Sequence, residues 1–228
     1  MSFSLVQAWA HTNAASSTGV SLAFAAVPTA GNLLVAFTSL GTSLTDTHNT
    51  PTDDIGDGVP WALAKGPQSN GVADRGYLWW KQVGTPSGGQ KTVTVTSSGT
   101  ESQNIIAIAE YTAGVGGVIT LDGTPVGASS AGTSNPVAGS ITTTTANGLI
   151  VAVCSDNNAV ATAGTGFTSR YTFNTLNPDT IEDQYTSVAQ AYTAAFVDPS
   201  AAFWYAIAAA WKVGAAAPSS GNRIIMLN

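Results

Sequence analysis

The sequence predicts an all-β fold: a jelly-roll-like antiparallel β-sandwich with an internally repeated strand plan and an extended C-terminal tail. Three observations carry the prediction. Short runs rich in Val, Ile, Leu, Thr and aromatic residues recur along the chain. Clusters of Gly, Pro, Asn, Asp and Ser, such as Thr85–Gly89 and Asn174–Asp179, separate them and supply turn chemistry. Several phrases of the first half return in the second.

Leu33-Leu34-Val35-Ala36-Phe37 is a continuous apolar run, as expected of a central strand in a sandwich. Next comes an aromatic strand, Gly76-Tyr77-Leu78-Trp79-Trp80-Lys81, in which alternation sets Tyr77 and Trp79 on one face and Trp80 on the other. Thr92-Val93-Thr94-Val95-Thr96 alternates strictly, with the valines facing a core. Ile105–Tyr111, Leu149–Val153 and Phe203–Lys212 complete the set. The alanines near Ala206 place Ile207 and Trp211 at helical spacing. No capping residue flanks them, however, and Phe203-Trp204-Tyr205 leads in, so a strand is predicted there too.

The echo pairs Gly31-Asn32-Leu33-Leu34-Val35-Ala36-Phe37 with Asn147-Gly148-Leu149-Ile150-Val151-Ala152-Val153, and Ala107-Ile108-Ala109 with Ala206-Ile207-Ala208. It predicts one sandwich domain over residues 1–213, with similar halves at about 1–113 and 127–213. The Gly/Pro-rich passage Gly114–Pro136 joins them, and residues 214–228 form the tail. In this reading two sheets share one core and the halves are not independent domains.

Only 9% of the 228 residues are charged, against roughly 25% in an ordinary soluble domain, so Thr, Ser, Asn, Gly and Ala must make the surface. Such a surface is poorly protected against self-association and suits a protein packed into an assembly. The net charge of −6 argues against nucleic acid as a partner, which needs a basic footprint. No apolar stretch is long enough to span a membrane as a helix, and the N-terminus carries no secretory leader pattern. The single cysteine, Cys154, lies in an apolar run and reads as a small buried hydrophobe.

The succession of Ala30-Gly31-Asn32-Leu33-Leu34-Val35-Ala36, the strand around Trp79 and Trp80, Ala107-Ile108-Ala109-Glu110-Tyr111, Thr142–Val151 and Ala209-Ala210-Trp211-Lys212 resembles a β-sandwich type of tailed-phage virion proteins and related bacterial surface proteins. The likeness covers about residues 3–213 and is one of rhythm, without a diagnostic motif. It implies a head decoration (cement) or tail-associated protein on the phage side, and carbohydrate or cell-wall binding on the surface side. It brings no catalytic residues.

Four acids, Asp46, Asp53, Asp54 and Asp57, cluster on a Gly-punctuated segment and are a candidate calcium loop, although their spacing is not that of an EF-hand. The bland alternative is a solvated loop in which the Asp side chains cap their own turns. His48 lies two residues from Asp46, but no nucleophile-elbow motif accompanies it. Glu101, Glu110 and Glu182 are the glutamates available for a carboxylate pair. No catalytic or cofactor-binding residue is assigned. Tyr77, Trp79 and Trp80 would stack on sugar rings if one face of their strand were open. The tail Arg223-Ile224-Ile225-Met226-Leu227, set off by the spacer Val213–Asn222, is expected to add as a strand to a neighbouring subunit. The expected function is therefore that of a non-enzymatic capsid decoration protein at the virion surface. It would be a homo-oligomer, with trimers favoured, bound to a capsid lattice. The alternative is a carbohydrate-binding module of a phage fibre or bacterial surface protein.

Overall fold

Leu33–Phe37 and Leu149–Val153 lack alternation because each belongs to a sheet covered on both faces. The computed structural model describes residues 2–41, 45–72, 74–114, 116–157, 160–173, 179–198, 200 and 202–214. Among these, strands form four antiparallel sheets. In the first half, β1 (Ser4–Ala14), β3 (Leu33–Gly41), β5 (Ala62–Ser69), β6 (Asp74–Gln82) and β8 (Gln103–Thr112) make a large sheet in the order β1-β8-β3-β6-β5. Beside it β2 (Ser17–Ala23), β4 (Thr52–Asp53) and β7 (Thr92–Glu101) make a small sheet in the order β2-β7-β4.

In the second half, β10 (Val126–Thr133), β12 (Leu149–Asp156), β14 (Thr168–Phe173), β15 (Asp179–Tyr185) and β17 (Ala202–Gly214) line up as β10-β17-β12-β15-β14. The short β9 (Val118–Leu121) pairs with the far end of β17. Its small sheet is β11 (Val137–Thr142), β16 (Ala191–Val197) and β13 (Thr162–Ala163), in that order. Adding nine to each strand number of the first half's two sheets reproduces the strand orders of the second half's two sheets.

Odd positions of β3 (Leu33, Val35, Phe37) point into a core shared with Leu149, Val151, Val153, Ile207 and Trp211 of the other large sheet. Even positions (Leu34, Ala36, Leu40) face the small sheet, where Val93 and Val95 meet them. Ile150 and Ala152 likewise turn toward Tyr192 and Phe196. The layers are therefore small, large, large, small, with three apolar clusters. This corrects the expectation of two sheets around one core. A central strand that is apolar on both faces needs a covering layer on each side, and a two-sheet sandwich supplies only one. Gly114–Pro136 is also more than a connector, since β9 and β10 lie within it.

Polar bonds cross between the halves at several points. Tyr111 Oη accepts from Trp9 Nε1 at 2.9 Å and donates to Asp183 Oδ2 at 2.9 Å. Ser39 Oγ and Tyr205 Oη are 2.9 Å apart, and the Leu5 amide donates to Tyr185 Oη at 3.0 Å. The segment Arg223–Leu227 lies outside the described residues.

Candidate functional site

The acidic segment is organised around a lysine that the sequence reading did not consider. Strand alternation turns Lys81 toward the same side of β6 as Tyr77 and Trp79, beneath the loop that follows β4. Its side chain is 0% exposed, and Nζ lies 2.8 Å from Asp53 Oδ2 and 2.8 Å from Asp57 Oδ1. Asp53 Oδ2 also accepts from Trp61 Nε1 at 2.7 Å, and its Oδ1 accepts from the Ile55 amide. Asp57 is gripped by the amides of Val59 and Gly84, both at 3.0 Å. Burial pushes the Asp57 carboxyl up, but hydrogen bonds from Lys81, Val59 and Gly84 outweigh it and hold the group below its ordinary value. The Trp61 ring sits 5.9 Å from Nζ, within cation–π range. An open cleft of about 680 Å³, lined by Thr50–Asp53 and Gly56–Trp61, overlies the site.

The other two acids point elsewhere. Asp46 Oδ1 accepts from Ser98 Oγ, and Asp54 Oδ1 accepts from the Thr92 amide. Among the described residues no three His, Cys, Asp or Glu side chains form a group that could hold a metal ion. The calcium loop expected of Asp46, Asp53, Asp54 and Asp57 is therefore corrected: the Lys81 ammonium occupies the position between Asp53 and Asp57 where a cation would sit.

The aromatic strand divides its faces as alternation predicts, but neither face is open. Tyr77 and Trp79 are 3% and 4% exposed and stack on each other inside the first half. Trp80 packs against the core between the halves and meets Trp211 edge-on. The expected sugar-stacking surface of Tyr77, Trp79 and Trp80 is thus corrected, since Tyr77 and Trp79 are buried and Trp80 is partly buried against the core between the halves.

His48 is buried and bonds to Thr38 Oγ1 and Asn104 Oδ1 through its two ring nitrogens; burial lowers its pKa to about 4. Asp46 is bound to Ser98 instead. Glu110 on β8 takes bonds from the Thr29 amide, Asn32 Nδ2 and Gln7 Nε2. Glu182 on β15 takes one from the Gly164 amide, so these two glutamates serve different halves. Cys154 is buried in the second half's own core.

Two features escaped sequence reasoning. The first is a set of buried carboxyls, with Asp74 and Asp183 facing the seam between the halves and Glu182 on the opposite face of β15, toward the second half's small sheet. Burial pushes Glu182 up to about 8 and Asp74 up to about 6, and raises Asp183 despite the Arg170 guanidinium beside it. The second is an asymmetry of sheet edges. Residues 1–45 contain no Asp, Glu, Lys or Arg, and neither do residues 123–155. These stretches supply β1, β2, β10 and β11, which form one edge of each sheet. The opposite edges are blunted in the usual ways: β5 carries Lys65 and Pro67, β14 carries Arg170, and β4 and β13 have two residues each. A count of charges along the sequence would have revealed the pattern, but only the strand order shows that it falls on edges.

β1 is the longest such edge, 11 residues paired on one side with β8, with register shifts between Leu5 and Gln7 and between Gln7 and Ala10. Val6, Ala8 and Ala10 on it, with Ala23, Ala25 and Ala26 across from them, line an apolar groove of about 510 Å³. Val6 is 48% exposed. Compared with protein-family models and with curated proteins, the chain matches none.

Proposed function

We propose that this chain is a structural assembly protein, in its most specific form a capsid decoration (cement) protein of a tailed phage that reinforces a head lattice through subunit contacts. The observation that carries the reading is the uncharged β1 edge with its apolar groove. A long edge strand without Lys, Pro or an inward charge is a template for pairing with another chain, and in β1 only register shifts at Leu5/Gln7 and Gln7/Ala10 interrupt it. The charge-poor composition supports the same reading, because contacts on this surface bury few ions. So does the aliphatic segment Ile224–Leu227, which has the composition of an added strand.

The protein acts as a homo-oligomer, with trimers favoured, at the virion surface. Its two halves are copies of one jelly-roll strand plan, joined large sheet to large sheet, which gives each subunit two chemically similar edges. The experiment is co-sedimentation of the full chain with the particles it decorates, beside a chain lacking Asn222–Asn228. The full chain should pellet with the particles and the shortened one should bind more weakly while keeping its β-sheet circular dichroism. A full chain that stays in the supernatant overturns the reading, and equal binding by the shortened chain overturns the role of the tail.

A further inference from the structure

The geometry points to an intramolecular amide bond between Lys81 and Asp53, formed without a cofactor and with Asp57 relaying protons. Three roles have to converge for such a condensation, and Lys81 Nζ lies within hydrogen-bond distance of both carboxylates. Lys81 Nζ is the nucleophile, 2.8 Å from Asp53 Oδ2 and held by burial of its whole side chain. Asp53 is the electrophile. Donors on both of its oxygens, Trp61 Nε1 and the Ile55 amide, draw electron density from its carboxyl carbon, as donors around an acyl oxygen do in acyl transfer. Asp57 reaches the same Nζ at 2.8 Å and is aimed by the Val59 and Gly84 amides.

The step balances with what the site holds. Asp57 takes a proton from the Lys81 ammonium and frees the nitrogen lone pair, which attacks the Asp53 carboxyl carbon. Two protons from the ammonium end on the departing oxygen through Asp57, and one water leaves. The amide keeps the remaining N–H. No oxidant, nucleotide or metal is consumed.

Burial supplies the driving force. In water, hydration of ammonium and carboxylate opposes condensation. Here the side chains of Asp53 and Asp57 are 7% and 1% exposed, and desolvating such a trio of ions is costly. Condensation removes one charge pair from that environment and leaves Asp57 bonded to backbone amides. The product would tie β4 and its loop covalently to β6.

The test is intact mass spectrometry of the purified full-length chain, followed by tandem analysis of its proteolytic peptides. A chain lighter than its sequence by one water, with the loss on a peptide joining Lys81 to Asp53, is the expected result. Lys81→Arg keeps the charge but cannot condense, and should show the full sequence mass. Asp57→Asn keeps a polar group of the same shape but cannot relay protons, and should remain largely uncondensed. Wild-type protein that keeps its full mass after prolonged incubation overturns the proposal, whatever the variants do. A water lost elsewhere also overturns it, and complete condensation in Asp57→Asn overturns the relay.

Discussion

Tyr111 offers the sharpest test of how the two halves are joined. Its ring is 0% exposed in the core between the large sheets, and its hydroxyl sits between Trp9 Nε1 and Asp183 Oδ2, at 2.9 Å from each. Asp183 Oδ1 lies 2.8 Å from Arg170 Nε, so the chain of bonds runs from β1 through β8 to β15 and β14. Tyr111→Phe leaves the ring packing in place and deletes only the oxygen. Two buried partners lose their bond: the Trp9 N–H outright, and one of the Asp183 oxygens. Each orphaned buried group costs about 1–3 kcal/mol, so the variant should lose roughly 2–6 kcal/mol. That is a large share of the ~5–15 kcal/mol that holds a typical domain folded. Equilibrium denaturation in urea, followed by tryptophan fluorescence, measures it as a lower midpoint with an unchanged slope. A loss below about 0.5 kcal/mol would refute the reasoning, because it would mean that water or a rearranged side chain satisfies both partners.

The buried carboxyls predict an unusual pH dependence. Burial holds Glu182 near 8 against an ordinary value of 4.5, and Asp74 near 6 against 3.8, so within those intervals the folded chain retains protons that the unfolded chain has released. Above about 6.5, where the opposing contribution of buried His48 is complete, stability should therefore fall as pH rises to about 8, read as a lower melting temperature, and Glu182→Gln should flatten the trend. At the acid end the sign reverses: Asp57 and Asp122 are held below their ordinary value, so their contribution is lost as pH falls beneath it. A melting temperature that climbs steadily toward alkaline pH would contradict this account. Chelation makes a separate test. With Lys81 seated between Asp53 and Asp57, excess EDTA should leave the melting temperature unchanged, and a drop of several degrees would restore a metal to this loop.

Much of the architecture was legible in the sequence. The apolar runs, the alternating valines of β7 and the aromatic lead-in to β17 all mark strands, because period and side-chain branching are local properties. The number of layers was not legible. A run such as Leu33–Phe37 says that both faces are buried but not by what, and only the pairing of strands distant in sequence supplies the two covers. The acidic loop misled for a related reason. Four acids in twelve residues look like cation ligands, whereas the cation they receive comes from Lys81, more than twenty residues on and one strand across. The aromatic strand likewise showed its alternation plainly, and its burial only once the neighbouring sheets were in place.

Assembly through the uncharged β1 edge is the central claim, and sedimentation velocity of the full chain tests it most directly. The wild type should sediment as an oligomer over a range of concentrations. A variant with lysines at two exposed groove positions, Val6→Lys with Ala8→Lys, should sediment as a monomer with unchanged circular dichroism. A wild type that is monomeric throughout, or a lysine variant that associates as well as the wild type, would contradict the account.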